Sequence, residues 1–162
     1  NAQPSSSTVS NEITLGNSSI NALRSNVTMI TSLSDARDKK NITDLNLGLA
    51  FINSLKPRAF NWDKREWYPN KIADGSKMKK EQTAGFIAQE LDASQQKFNA
   101  EYLNLVYKTS PDKWEATYGN LLPVIVKSIQ ELSAQKDKEI DELKSKVKEL
   151  EILVNKILEI KK

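Results

Sequence analysis

The segment SDARDKKNI, residues 34–42, concentrates side chains that could carry out acid–base or nucleophilic chemistry. It contains one hydroxyl, two acids, three bases and almost no apolar residue. The whole chain has no His and no Cys, so it lacks the commonest general base and any thiolate nucleophile. An enzyme built from this chain must therefore use Ser, Thr, Lys, Tyr or carboxylates. By composition alone, the segment predicts a solvated turn or the start of a helix.

The overall composition is that of one globular domain with an extension. The 162 residues are 38% hydrophobic and 28% charged, with a net charge of +3, and ordinary domains hold about 100–150 residues. The basic excess is weak and spread along the chain, which indicates no nucleic-acid partner. The longest apolar run, residues 121–126, is interrupted by Pro123 and is far shorter than the roughly 20 residues of a membrane span. We therefore expect neither nucleic acid nor a membrane as a partner.

The first 33 residues are rich in Ser, Asn and Thr, and their aliphatic residues recur in short, roughly alternating groups. This texture predicts short strands and turns, as in the end of a β-structured stalk, with a disordered tail as the alternative. The residues that carry the pattern are Ile13, Leu15, Ile20, Leu23, Val27 and Ile30. The segment has neither the basic start nor the apolar core of a signal peptide. The chain starts at Asn1 rather than Met, so we expect a fragment of a longer protein.

The middle of the chain predicts a small α+β core. Apolar spacing over Thr43–Leu55 predicts a short amphipathic helix whose N-cap is Asn41 or Thr43. Lys56 and Pro57 end this helix, because the residue before a proline disfavours the helical region.

The rest of the core alternates between strand-like and helical texture. Residues 58–70 interleave aromatic and charged side chains as a strand does, and residues 71–82 predict a hairpin loop. Residues 83–91 predict a strand that passes into a helix, with Gly85 at a close approach of two chain segments. Residues 99–121 supply two more aromatic-bearing segments.

The C-terminal part carries a heptad seam, in which positions spaced alternately three and four apart are apolar at eight of ten places. Such a stripe predicts a coiled coil between copies of the chain. The coil should begin near Ile140, because two polar residues interrupt the seam before it. A dimer is allowed, and the flanking Leu153 and Leu158 also tolerate a trimer, whereas a single helix packed back on the core is the alternative. The seam positions are Val126, Ile129, Ser133, Lys136, Ile140, Leu143, Val147, Leu150, Val154 and Ile157.

Four segments, taken in order, resemble the intramolecular chaperone auto-processing domain of phage tail spikes, tail fibres and endosialidases, the peptidase S74 family. They are SDARDKKNI, LGLAFINSLKPRAFNW, GFIAQEL and NLLPVIVKSIQELSAQKDKEIDELK, and the resemblance runs from Ser34 to about Leu150. It implies that residues 1–33 are the end of a passenger stalk, 34–125 the chaperone core and 126–162 a coiled-coil helix. It also implies a homotrimer.

The resemblance further implies a self-cleavage site. Members of this family cut their own chain before the Ser of an SD motif and use a lysine five positions downstream as the base. In this chain the nucleophile is then Ser34, the base Lys39, and the scissile bond the one between Leu33 and Ser34. Four further motif positions are occupied, and we expect them to have orienting or structural roles only: Asp35, Arg37, Asn41 and Ile42.

A Ser–Lys dyad has physical requirements of its own. The lysine accepts the serine proton only when it is neutral, so a pKa that starts near ~10.4 must be lowered by desolvation or by a nearby cation. Lys40, Arg37 and Arg58 are the candidate cations. Residues five apart do not share a helix face, so the pair must meet in a turn or where one element ends and another begins.

The resemblance therefore implies a C-terminal intramolecular chaperone that trimerises and folds a viral tail spike or fibre. It would then release itself as a serine endopeptidase that acts once, in its own chain. Its partners would be its own copies and the N-terminal passenger region. Assembly would occur in the host cytoplasm, and the passenger would remain in the virion tail. We find no Gly-rich phosphate loop and expect neither a cofactor nor a metal.

Two other functions fit parts of the sequence. The first is a structural trimerisation module that registers a fibre and is never cut. The second is a membrane-tethered eukaryotic transcription factor, since some of these carry a similar self-cleaving domain. The second requires a membrane span soon after the domain, whereas the seam runs to Lys161 and Lys162 without one, and the β-texture upstream favours a fibre.

Overall fold

The computed structural model describes residues 2–3, 14–15, 24, 26, 31–110 and 112–160. The chain divides into two compact units, residues 1–42 and residues 43–162. In the first unit, strand β1 (Ala2–Gln3) pairs antiparallel with strand β2 (Thr14–Leu15). Leu15, one of the residues behind the predicted β-texture, lies in β2. The others, Ile13, Ile20, Leu23, Val27 and Ile30, lie outside the described residues.

The second unit is α+β, as the sequence predicts. The strands form two antiparallel pairs, β3 with β4 and β5 with β6. The predicted passage from strand to helix is confirmed by β4 and α2, and the two aromatic-bearing segments become β5 and β6. In chain order the elements are α1 (Leu49–Ile52), β3 (Arg58–Asn61), β4 (Gln82–Gly85), α2 (Ala88–Lys97), β5 (Val106–Ser110), β6 (Lys113–Ala116) and α3 (Leu122–Ile160).

The core of this unit forms where α1 packs against the first turns of α3. Phe51 of α1 and Val124 of α3 are completely buried, and the ring of Phe98 meets the Phe51 ring edge-on at a centroid distance of 5.4 Å. Edge-to-face pairs of this kind are favourable beyond the area that they bury. The buried residues of this cluster are Leu47, Phe51, Ala100, Leu105, Leu121 and Val124.

Helix α1 is much shorter than predicted, and the prediction of Asn41 or Thr43 as its N-cap was wrong. The N-cap is Gly48, which has no side chain to accept a hydrogen bond. A carboxylate oxygen of Glu131 in α3 instead accepts from the backbone N–H of Leu49 at 2.7 Å. Residues 42–47 before Gly48 are irregular, and Leu47 is buried in the core from this non-helical segment.

The predicted close approach at Gly85 is confirmed. A Cβ atom at Gly85 would lie 2.8 Å from the hydroxyl oxygen of Tyr118. That hydroxyl accepts a hydrogen bond from the backbone N–H of Phe86 at 3.0 Å, and the two rings pack edge-on. Tyr118 therefore holds the junction between β4 and α2 against the segment that leads into α3.

Helix α3 begins at Leu122, four residues before the predicted start at Val126. Pro123 does not prevent this, since proline is tolerated in the first turn of a helix. Residues Val124 and Ser128 are buried against the core, and from Ala134 onward nearly every described residue is exposed. The alternative of a helix packed back on its own core thus applies only to its first turns. No described helix has the length and apolar composition needed to cross a membrane.

We predict that Gly48→Ala destabilises the fold through the Glu131 cap. The new Cβ would lie 2.2 Å from a carboxylate oxygen of Glu131, so this flexible side chain must move and the N–H of Leu49 loses its acceptor. The free energy of unfolding should fall by about 1–3 kcal/mol, as for other lost hydrogen bonds to a charged group. Urea unfolding measures this. Gly119→Ala is the control, because no atom lies within 4 Å of its Cβ position; equal effects of the two substitutions would contradict the explanation.

Candidate functional site

The SDARDKKNI segment folds into a short turn that is capped by its own carboxylate. A single 3₁₀ turn spans Ala36–Asp38, and Asp35 is its N-cap. The Asp35 side chain accepts a hydrogen bond from the backbone N–H of Arg37 at 2.8 Å. Short polar side chains at this position satisfy backbone donors that the turn cannot satisfy itself. The solvated turn predicted from composition is thus confirmed.

Arg37 holds the same carboxylate from the side. Its Nε and Nη2 atoms donate to the two Asp35 oxygens at 3.0 and 2.7 Å, which is the forked geometry that guanidinium groups favour. These hydrogen bonds keep the pKa of the Asp35 carboxyl below its usual value and raise the pKa of the Arg37 guanidinium. Asp35 and Arg37 therefore stabilise the turn, and their supporting role in a reaction stays a prediction.

The turn brings the side chain of Lys39 back to Ser34. The Lys39 Nζ atom lies 2.5 Å from the Ser34 Oγ atom and donates to the Ser34 carbonyl oxygen at 3.2 Å. The backbone N–H of Lys39 donates to the carbonyl of Ala36, which closes the turn. The two residues that the resemblance marks as nucleophile and base are thus within proton-transfer distance, and they meet in a turn rather than on a helix face.

Asn41 contributes through its backbone. Its φ of 52° lies in the left-handed region, which Asn adopts more readily than most other residues. Among the described residues, its side chain makes no hydrogen bond with Ser34 or Lys39. Asn41 therefore redirects the chain just after the dyad and is not part of the reacting group of atoms.

The Ser34–Lys39 pair is exposed in the single chain. Both residues are open to solvent, and so is the preceding residue, with Leu33 at 102% relative exposure. Serine attack requires a neutral lysine, and burial is one of the two ways to favour the neutral form. In the single chain, Ser34 and Lys39 lie at a distance that permits proton transfer, but they are not buried away from water.

Two of the three candidate cations are already neutralised. Arg37 is paired with Asp35, and Arg58 of β3 donates to Glu90 of α2 at 2.9 Å through its Nε atom. A cation beside a carboxylate exerts little net field, so neither is an effective means of favouring a neutral lysine. Among the three candidates, only Lys40 has no ion pair within the described part of the chain.

One residue that sequence reasoning missed is Glu131, which caps α1 from a position 82 residues away along the chain. No local pattern marks it, because a glutamate on a charged helix is ordinary. The absence of a capping side chain at Gly48 was the one available signal. Within the described ranges, no three acidic side chains come close enough to one another to hold a metal ion.

Residues 34–99 match the peptidase S74 family, described as "chaperone of endosialidase", and the match begins at Ser34 itself. This match supports an S74 chaperone domain in this part of the chain and a chaperone-type role, and the family name denotes a peptidase. The S74 match ends at residue 99, so the resemblance that extends to about Leu150 goes beyond it. No curated protein and no solved structure matches the chain.

We predict that the turn at residues 35–39 loses its cap in acid. A carboxyl whose folded pKa is lowered stabilises the fold above its usual pKa, and this contribution is lost as the pH falls through the folded pKa. The cap should therefore be complete above the usual value of 3.8 and disappear only below it. An NMR titration of the Asp35 carboxyl and the Arg37 amide measures the midpoint. Arg37→Ala should move that midpoint up toward 3.8, and a wild-type midpoint above 3.8 would contradict the geometry.

Proposed function

We propose that this chain is a C-terminal intramolecular chaperone that trimerises, folds a viral tail spike or fibre, and then releases itself by cutting between Leu33 and Ser34. The observation that carries the proposal is the 2.5 Å approach of Lys39 Nζ to Ser34 Oγ, at the first residue of the S74 match. The family supports the chaperone role, and the geometry of the turn supports the assignment of the dyad.

In the proposed reaction, Ser34 Oγ attacks the carbonyl carbon of Leu33 while its proton passes to the neutral amine of Lys39. The bond between that carbon and the Ser34 nitrogen then breaks, and the nitrogen takes the proton from Lys39. This leaves an ester between the Leu33 acyl group and Ser34 Oγ. Water hydrolyses the ester, so the products are a chain that ends in the Leu33 carboxylate and a chain that begins with Ser34. Splitting one difficult step into two in this way is the usual advantage of a covalent intermediate.

The same proposal explains why cleavage would wait for assembly. The dyad is exposed in one chain, whereas a neutral lysine is favoured by burial. Packing of further copies around the turn is the proposed source of that burial. A chain that has not assembled would then keep its passenger, and an assembled one would release it.

Self-association is proposed from the exposed seam of α3. Its apolar residues are 46–60% exposed, along a stretch of helix whose described residues from Ala134 onward are nearly all open to solvent. Exposed apolar stripes of this length usually mark an interface. Leu153 and Leu158 widen the stripe near its end, so the seam can accommodate three helices as well as two. The seam residues concerned are Ile140, Leu143, Val147, Leu150, Val154 and Ile157.

The proposed order of events follows from chain entropy. Joining three copies through α3 raises the effective concentration of the passenger strands for one another. Pairing of strands between chains, which is slow because ordering precedes any gain, then becomes faster. Cleavage removes the assembly aid and leaves the passenger kinetically trapped. In this proposal these events occur in the host cytoplasm during virion assembly, and the passenger remains in the virion tail.

The first test is Ser34→Ala. Purified wild-type protein should yield a fragment that begins at Ser34 in a mass spectrum, and Ser34→Ala should abolish it, since no hydroxyl remains to attack. Ser32→Ala is the matched control, because it removes a hydroxyl two residues away and should leave cleavage intact. If the wild-type chain stays whole on prolonged incubation, the chain is instead a trimerisation module that is not cut.

The second test is the paired substitution Leu143→Asp and Leu150→Asp. In the uncut Ser34→Ala background the protein should show three times the chain mass of 18.3 kDa in light scattering, and the paired variant should be a monomer, since a charge in each of two core layers opposes burial. Ser145→Asp is the control, because it adds a charge off the seam. A monomer without the paired substitution, or a trimer that survives it, would overturn the proposed interface.

A further inference from the structure

Helix α3 presents different residues to the core and to a partner. Val124, Ser128 and Glu131 follow one another at spacings of four and three, so they lie on one face, and this face contacts the core. Val126 and Ile129 lie on the seam face of the same turns and are 48% and 62% exposed. The element that would hold the copies together is thus the same rigid helix that contacts α1.

Glu131 is the residue of α3 that hydrogen-bonds to the N-terminus of α1. One carboxylate oxygen accepts from the N–H of Leu49 at 2.7 Å, and the other lies 3.7 Å from Lys127 Nζ. The carboxylate occupies the space that a Cβ atom at position 48 would fill. Because Gly48 cannot cap the helix itself, α1 depends on Glu131 for this interaction.

Helix α1 is also the first helix that the chain reaches after the dyad. Residues 40–47 are the only ones between Lys39, the proposed base, and Gly48, the N-cap of α1. Within this stretch Leu47 is buried in the core beside Phe51 of α1. The segment that carries Ser34 and Lys39 therefore leads along the chain into the start of α1, where Leu47 is buried.

We propose that Glu131 couples seam association to the cleavage segment, as a positioning residue that acts through the N-terminus of α1. This inference rests on the proposed function. Nearly every described residue of α3 from Ala134 onward is exposed, and a helix without tertiary packing is prone to fraying. Association along the seam suppresses that fraying and keeps Glu131 on Leu49. The capped α1 then holds the segment that leads to the dyad, and an uncapped α1 releases it.

The first experiment measures hydrogen exchange in full-length chains with Ser34→Ala, which removes the proposed cut. The amide of Leu49 should exchange on the order of tenfold faster in Glu131→Ala, because its acceptor is lost. Glu131→Gln retains an acceptor oxygen and should restore protection. Glu142→Ala is the control, since this exposed glutamate lies 4.0 Å from Lys138 and has no contact with α1. Unchanged exchange at Leu49 in Glu131→Ala would overturn the proposal.

The same measurement tests the coupling without relying on cleavage. The paired substitution Leu143→Asp and Leu150→Asp should also accelerate exchange at Leu49 on the order of tenfold, while the amides of β3 and β4 keep their protection. Equal protection of Leu49 in the associated and dissociated chains would show that the cap does not respond to the seam, and this would overturn the proposal even if cleavage and trimers are both confirmed.

A double-mutant cycle with Ser34 intact tests the consequence for cleavage. Glu131→Ala should slow the appearance of the Ser34 fragment by about tenfold in the associating chain and have little further effect in the paired seam variant, because coupled residues are not additive. Glu131→Gln should cleave nearly as fast as wild type. Equal slowing by Glu131→Ala in both backgrounds would reduce Glu131 to a stabilising residue and overturn the coupling. If wild-type protein does not cleave at all, the proposed function fails, and the exchange data decide the coupling alone.

Discussion

Helix α3 has to satisfy two apolar surfaces at once, and the arrangement of the second unit follows from that constraint. Its first turns bury Val124 and Ser128 against the core, and Glu131 supplies the cap that α1 lacks. The seam lies on another face of the same helix and has no partner among the described residues. A helix with one apolar stripe could be satisfied within a single chain. A helix that continues far beyond its core with a second stripe cannot bury it there.

The proposed dyad shows a separation between local geometry and environment. The distance from Lys39 to Ser34 is produced by one turn, with Asp35 and Arg37 as its support. The electrostatic environment is a different matter, because Arg37 is compensated by Asp35 and the dyad is exposed. Desolvation is then the main route to a reactive lysine, and it has to come from outside the turn.

This separation suits a chaperone that must not act too early. The distance between the two residues of such a dyad forms within one short segment of every chain, whereas their burial depends on assembly. Only assembled chains would then cut themselves. In the proposed function, the same helix that brings the copies together also touches the helix from which the cleavage segment departs. Assembly and cutting would then be linked through one element without a separate sensor.

The sequence by itself determined the features that depend on neighbouring residues. The turn at residues 34–42, the passage from β4 to α2, the close approach at Gly85 and the seam of α3 were all readable, because each follows from spacing, capping chemistry or a single special residue. The tertiary structure alone decided the length of α1. The apolar spacing over Thr43–Leu55 fits a helix, yet Leu47 is buried from an irregular segment and the cap comes from Glu131, 82 residues away from Leu49. Periodicity reports which residues are apolar, but a contact between distant parts of the chain determines where a short helix begins.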